Sequence, residues 1–176
     1  METLENLIEL WPQVKPVLLP YEGSASQIYV LDVPRRELER TLDVFCRRSN
    51  PAKISCLDGY SFSANEQLEC NIVNRVDVLK AASESIILGT LYKEKNIQFW
   101  IWPDTEKGTF TAEFVFFVDN VFDLAASDAE HMEAFKAIYS LAEMVRENNQ
   151  ECECVLSGVE VGDPREERDK DWTVFW

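Results

Sequence analysis

The chain has 176 residues, 46% of them hydrophobic, with 6 Gly and 7 Pro, which excludes a disordered protein and predicts a single globular domain over residues 1–176. Its 17 basic and 32 acidic side chains give a net charge of −15, which disfavours nucleic acid and anionic membranes as partners and favours basic proteins, although acidity also serves solubility. The five cysteines contain no CxxC pair, so reduced thiols in a cytoplasmic protein fit the pattern best.

The first third of the chain predicts a helix, a strand and a second helix. Residues 3–11 carry apolar side chains at helical spacing, and Pro12 is expected to end this helix, leaving 14–26 as a connector. This start lacks the basic and apolar regions of a signal peptide. Residues 27–33 are rich in strand formers, and Pro34 is expected to begin the next helix. The predicted buried side chains of that helix are Leu38, Leu42 and Phe45.

The middle of the chain predicts short strands at 53–57 and 67–73, a helix at about 74–84 and a strand region at 86–92. A β-hairpin at 96–117 follows, and then a long helix. Ser127 and Glu130 form the S-x-x-E pattern of a capping box at the start of this helix. Its predicted buried stripe consists of Met132, Phe135, Ile138, Tyr139, Ala142 and Val145.

The C-terminal part predicts a strand at 152–156, a charged and solvated loop at 162–171 and a last strand at 172–176. Most connections between neighbouring strands are short, which is typical of antiparallel pairing. The order of elements therefore predicts an α+β fold with a largely antiparallel sheet and helices packed mainly on one face.

The hairpin has two contrasting faces. We expect Trp102 to pair with Thr109 across a six-residue loop at 103–108. Alternation gives one apolar face, formed by Ile97, Phe99, Ile101, Phe110, Ala112, Phe114 and Phe116. The other face carries Gln98, Trp100, Trp102, Thr109, Thr111, Glu113, Val115 and Phe117, and its polar members indicate contact with water.

The two indoles on this mixed face have two interpretations. Exposed tryptophans are typical of binding hot spots, which makes Trp100 and Trp102 candidate partner contacts. Large exposed apolar patches are uncommon on monomers, which favours covering by the chain itself. The predicted cover is the last strand, where Trp172, Val174 and Trp176 share a face. Covering by this strand is the preferred interpretation.

Residues for catalysis or metal binding do not form a recognisable set. His131, the single histidine, is expected at the surface, and nothing near it in sequence forms a nucleophilic triad. Cys152 and Cys154 share one face of a strand, and buried thiols that behave as small hydrophobic groups explain them better than a metal site. We therefore predict no catalytic residues, no metal and no cofactor.

The long helix and its flanks are strongly acidic. Residues 119–163 hold eleven acidic side chains and only two basic ones, Lys136 and Arg146, a net charge of −9. Glu133, Glu143 and Glu147 are expected on the side of the helix away from its buried stripe. Carboxylates near a helix C-terminus oppose the helix dipole, so Glu143 and Glu147 invite a functional explanation, with a merely solvated face as the alternative.

This combination of acidity, an acidic segment and no catalytic set resembles, in general character, the small acidic cytosolic immunity proteins of bacterial toxin systems. The resemblance implies a protein-binding module that neutralises a cognate toxin, such as a nuclease effector, by occluding a basic site. An adaptor or structural subunit of a larger assembly is the alternative, followed by a carboxylate-dependent enzyme. The predicted partner contacts are Trp100, Trp102, Glu113, Glu133, Glu143 and Glu147.

Overall fold

A computed structural model describes residues 2–19, 25–42, 53–57, 60–61, 68–69, 87–91, 97–104, 106–123, 125–147, 149–159, 161 and 163–176. The helices in these ranges are α1 (Glu2–Leu18), α2 (Val118–Val121) and α3 (Asp128–Arg146), with a 3-10 turn at Arg35–Glu37 leading into helical residues 38–42. The strands are β1 (Ala25–Pro34), β2 (Lys53–Leu57), β3 (Tyr60–Ser61), β4 (Leu68–Glu69), β5 (Ile87–Leu91), β6 (Ile97–Asp104), β7 (Thr109–Phe117), β8 (Cys154–Ser157) and β9 (Thr173–Phe175).

The described strands form one sheet in the order β3-β2-β5-β6-β7-β1-β8-β9, and β4 also pairs with β2. Every pair in this sheet is antiparallel. Side chains of α1 and α3 share one hydrophobic core with the inward-facing residues of β1, β6, β7 and β8. The predicted α+β fold with a largely antiparallel sheet is confirmed, and the two long helices that the structure describes pack on one face, as expected for most of the helices.

The hairpin of β6 and β7 has the predicted faces but not the predicted register. Trp102 pairs with Thr111, and Asp104 pairs with Thr109, a shift of two residues from the expected pairing. The turn closes tightly because the Gly108 N–H donates to the Asp104 carbonyl at 3.0 Å and Gly108 adopts a positive φ of 68°. Strand side chains repeat every two residues, so the shift leaves each one on its predicted face.

Helix α1 continues through Pro12 and Pro16, so the predictions that it ends at Pro12 and that a connector begins at residue 14 were wrong. Buried side chains lie at helical spacing on both sides of Pro12: Leu7, Leu10, Trp11, Val14, Val17 and Leu18. Burial of each stabilises the fold by about 1.5–3 kcal/mol, so several together offset the roughly 3 kcal/mol that a helical proline costs. Packing against the core outweighs local propensity here.

The other predicted elements agree with the structure where it describes them. Leu38 and Leu42 are buried after the turn that follows Pro34, whereas Phe45 and the predicted helix at 74–84 lie outside the described residues. In the capping box of α3, the Ser127 N–H donates to Glu130 Oε2 at 2.9 Å, and the Glu130 N–H donates to Ser127 Oγ at 3.4 Å. The predicted stripe of α3 is buried apart from Met132, which is partly exposed.

The path of α1 predicts that Pro12→Ala stabilises the protein by about 1–3 kcal/mol, because alanine restores an N–H that can donate to the Ile8 carbonyl. The Pro12 side chain is exposed, so little packing is lost. Urea unfolding measures the change. Gln13→Ala, at the next exposed position of the same helix, is the control and should change stability by less than about 0.5 kcal/mol. Equal values for the two variants would mean that the helix ends at Pro12.

Candidate functional site

The candidate site lies on the outer face of the sheet, defined as the face turned away from α1 and α3. Across four neighbouring strand pairs, one row of residues runs from Trp100 through Glu113, Tyr29 and Val155 to Phe175. The second residue of this row is thus a carboxylate, and the other four are aromatic or apolar. The two ends of this row differ in how they are covered.

The end of the row on β1, β8 and β9 is closed by the chain itself. Tyr29, Leu31 and Val155 are buried in a small second core, with Val161 and Phe175 packed against it. The Tyr29 hydroxyl lies 3.1 Å from Gln27 Oε1 and 3.4 Å from the Val161 carbonyl, two acceptors for its hydrogen bond.

The segment 163–172 packs against this closed end through some of its side chains, so the prediction of a solvated loop was only partly right. Pro164 is buried, and Arg165 forms an ion pair with Asp32 at 2.7 Å. The Arg168 guanidinium lies 4.1 Å above the centre of the Phe175 ring and also pairs with the Glu153 carboxylate. The remaining charged side chains of the segment face solvent to a large extent.

The other end of the row presents the two indoles on β6. The rings of Trp100 and Trp102 stack with centroids 5.1 Å apart and planes 9° from parallel. Trp102 Nε1–H donates to Glu113 Oε2 at 2.6 Å. Trp102 is 37% exposed, Trp100 is half-buried, and Glu113 is only 6% exposed, so the expectation that Glu113 faces water was wrong. The buried Glu113 carboxylate therefore fixes the orientation of the Trp102 indole through this hydrogen bond.

Asp104 extends this indole pair along the strand, and sequence reasoning missed it. It lies two residues after Trp102 in β6 and therefore on the same face. Its Oδ1 accepts the Lys107 N–H at 3.0 Å, and this backbone hydrogen bond is the main reason that the pKa of Asp104 is lowered. The Lys107 ammonium lies 3.4 Å from its Oδ2. The alternation of side chains along a strand could have placed Asp104 on this face. It did not, because residues 103–108 were predicted to form the hairpin loop.

The C-terminal strand does not cover the indoles, so the preferred interpretation from sequence was wrong. Strand β9 pairs with β8 at the far edge of the sheet, and β7, β1 and β8 lie between β9 and β6. Val174 belongs to the core shared with the helices, and the Trp176 ring packs 5.8 Å from that of Tyr139 on α3. These side chains point to the inner face because alternation leaves Thr173 and Phe175 for the outer one.

The acidic side chains of α3 lie on the opposite side of the sheet from the indoles, and each has a local partner. Glu133 forms an ion pair with Lys136 at 3.1 Å. Glu143 accepts from Arg146 at 2.9 Å and from Trp176 Nε1 at 3.1 Å, and Arg40 donates to Glu147 at 2.9 Å. The structure therefore brings together only Trp100, Trp102 and Glu113 of the six predicted partner contacts. Arg40 and Arg146 give Glu147 and Glu143 a structural explanation.

The histidine and the two cysteines whose side chains the structure describes are buried. His131 is 6% exposed and its Nε2 lies 2.6 Å from the Asp123 carbonyl, so the prediction of a surface histidine was wrong. Cys152 and Cys154 are buried as predicted, and burial raises the pKa of both thiols. A protonated, buried thiol is a poor nucleophile.

Comparison of the chain with protein-family models, curated proteins and solved structures finds no match. Within the ranges that the structure describes, no helix is long and apolar enough to cross a membrane. Over the same residues, no three His, Cys, Asp or Glu side chains are placed to hold a metal ion. The site is therefore interpreted from its own geometry.

The surroundings of Tyr139, next to Glu143, predict that this tyrosine titrates at unusually high pH. Burial and the Glu143 carboxylate raise the pKa of Tyr139 from 10.0 to about 12. Because the folded-state pKa is the higher one, the stabilisation is complete below pH 10 and is lost as the pH rises toward 12. Absorbance titration of the folded protein should show a last tyrosinate step near pH 12 that Tyr139→Phe removes and Glu143→Gln shifts to lower pH. A wild-type titration complete by about pH 10.5 would contradict this assignment.

Proposed function

We propose that the protein is an acidic protein-binding module that docks a basic partner on the outer face of its sheet. The observation that carries the proposal is the indole pair. Trp100 and Trp102 are stacked, held by a buried carboxylate, and left open on a sheet face against which neither long helix packs. Tryptophan is the residue type most enriched at binding hot spots, and a rigid ring loses little entropy when a partner covers it.

Charge supports a basic partner. The whole chain carries a net charge of −15, and the outer face has Glu113 and Asp104 on either side of the exposed ring. Such a field speeds encounter with a cationic surface and raises the association rate at low salt. The apolar indoles then supply contact area that persists at moderate salt and lengthens residence.

We further propose that this binding is inhibitory, as in an immunity protein that blocks a cognate bacterial toxin. A sheet face that places aromatic anchors between carboxylates suits a partner whose own working surface is basic, as the substrate-binding surface of a nuclease is. Occlusion of such a surface requires no chemistry from the bound module. The mechanism is then steric and electrostatic, with the partner's basic site as its target.

The proposal predicts which substitutions abolish binding. Tagged wild-type protein should retain one basic protein from a lysate of the source organism in near-stoichiometric amount and still hold it at moderate salt. Trp102→Ala should lose it, since truncating a central anchor typically costs 2 kcal/mol or more, about a thirtyfold loss in affinity. Ile8→Ala is the matched control, because Ile8 is a large exposed apolar residue, 52% exposed, on the helical side of the protein.

Retention by both variants would place the interface elsewhere and remove the role of the indole pair. If the tagged chain is recovered only with copies of itself, the protein self-assembles, which would favour the adaptor or structural alternative over inhibition. For a retained partner, an activity assay of that partner with and without the module separates inhibition from simple binding. An unchanged activity at saturating module would overturn the inhibitory part of the proposal.

A further inference from the structure

We propose that the open ring face of Trp102 and the carboxylate of Asp104 form a slot for a guanidinium group, so that the docked partner presents an arginine side chain at this point. The inference deepens the proposed function and rests on it for the identity of the natural ligand. The slot itself can be tested with small molecules, independently of any partner.

The geometry of β6 creates the slot. Trp100, Trp102 and Asp104 succeed one another on the outer face, about 6.6 Å apart along the strand. Trp100 stacks on one face of the Trp102 ring, and Asp104 follows Trp102 along the strand on the side away from Trp100. In the proposed slot, a flat cation occupies the other ring face, within the roughly 6 Å of the ring centre that cation–π attraction requires, and pairs with the Asp104 carboxylate.

The same chain contains a filled version of this arrangement at the other end of the outer face. The Arg168 guanidinium lies 4.1 Å above the Phe175 ring and pairs with the Glu153 carboxylate. Ring, guanidinium and carboxylate thus form a unit that the fold already uses on this face. Over the part of the chain that the structure describes, no cation lies above the indole of Trp102, whose ring is a stronger cation–π acceptor than that of phenylalanine.

Two features strengthen the slot at Trp102. Glu113 accepts the indole N–H at 2.6 Å, which holds the Trp102 ring in one orientation and so fixes the position of its open face. Asp104 Oδ1 accepts the Lys107 backbone N–H at 3.0 Å, and the Lys107 ammonium lies 3.4 Å from Oδ2, in an ion pair whose two side chains are 39% and 60% exposed. An exposed ion pair of this kind contributes little, so an incoming guanidinium can displace it.

Arginine fits the slot better than lysine does. Its guanidinium is planar, stacks on an aromatic ring and donates two parallel hydrogen bonds to a carboxylate, whereas an ammonium group is a compact and strongly hydrated point charge. Lys107 illustrates the difference, since it reaches Asp104 without lying over the indole. The slot is therefore expected to select the side chain that satisfies ring and carboxylate together.

The test is an NMR titration of isotope-labelled protein with N-acetyl-arginine amide, followed at the Trp102 indole signals. N-acetyl-citrulline amide, the neutral counterpart, and N-acetyl-lysine amide are the comparison ligands at matched ionic strength. We expect the arginine ligand to bind about tenfold more tightly than citrulline and several-fold more tightly than lysine. Asp104→Asn should weaken arginine binding several-fold, and Lys107→Ala should strengthen it by removing the competing ammonium.

Glu106→Gln is the matched control, because it makes the same change in net charge at an exposed position of the same turn. Equal effects of Asp104→Asn and Glu106→Gln would reduce the slot to general electrostatics and overturn the inference, as would equal binding of arginine and citrulline. Trp102→Leu, which keeps an apolar side chain and is followed at the Asp104 and Lys107 backbone amide signals, should abolish the arginine preference. If the protein selects arginine but retains no partner from the lysate, the slot stands and the proposed function is overturned. If it retains a partner but does not select arginine, the proposed function stands and the slot is overturned.

Discussion

Side-chain alternation along β1, β6 and β7 is the constraint on which the rest of the structure depends. These strands lie in the middle of the sheet, and α1 and α3 pack on one of its faces. Every second side chain of each strand enters that core, and its neighbours lie on the outer face, against which neither α1 nor α3 packs. The chemistry of the outer face follows from how the chain meets this demand.

The outer face is closed at one end and open at the other. Over β1, β8 and β9, Val161 and the segment 163–172 cover Tyr29 and Phe175, and Arg168 completes the cover with its guanidinium. Over β6 and β7, the chain instead uses a stacked indole pair with its N–H fixed by Glu113. Because folding already holds the ring rigidly, a partner that covers its exposed part loses little side-chain conformational entropy, which favours binding.

The sequence predicted what depends on local periodicity and missed what depends on long-range packing. The two hairpin faces and the capping box at Ser127 follow from spacing alone, and both were right. The hairpin register was missed because it depends on the turn that Asp104 and Gly108 close, which also hid Asp104 as part of the site. The continuation of α1 past Pro12 and the placing of β9 beside β8 arise from contacts between distant residues, which spacing along one chain does not reveal.

The proposed docking surface requires that the indole of Trp102 lie open on the outer face. Hydroxyl-radical footprinting of the free protein, with mass-spectrometric readout of each tryptophan, measures this exposure. Trp11 is the internal reference, since it is 5% exposed in the core while Trp102 is 37% exposed. We expect Trp102 to be oxidised several times faster than Trp11. Equal protection of the two rings would show that Trp102 is covered and would contradict the docking surface.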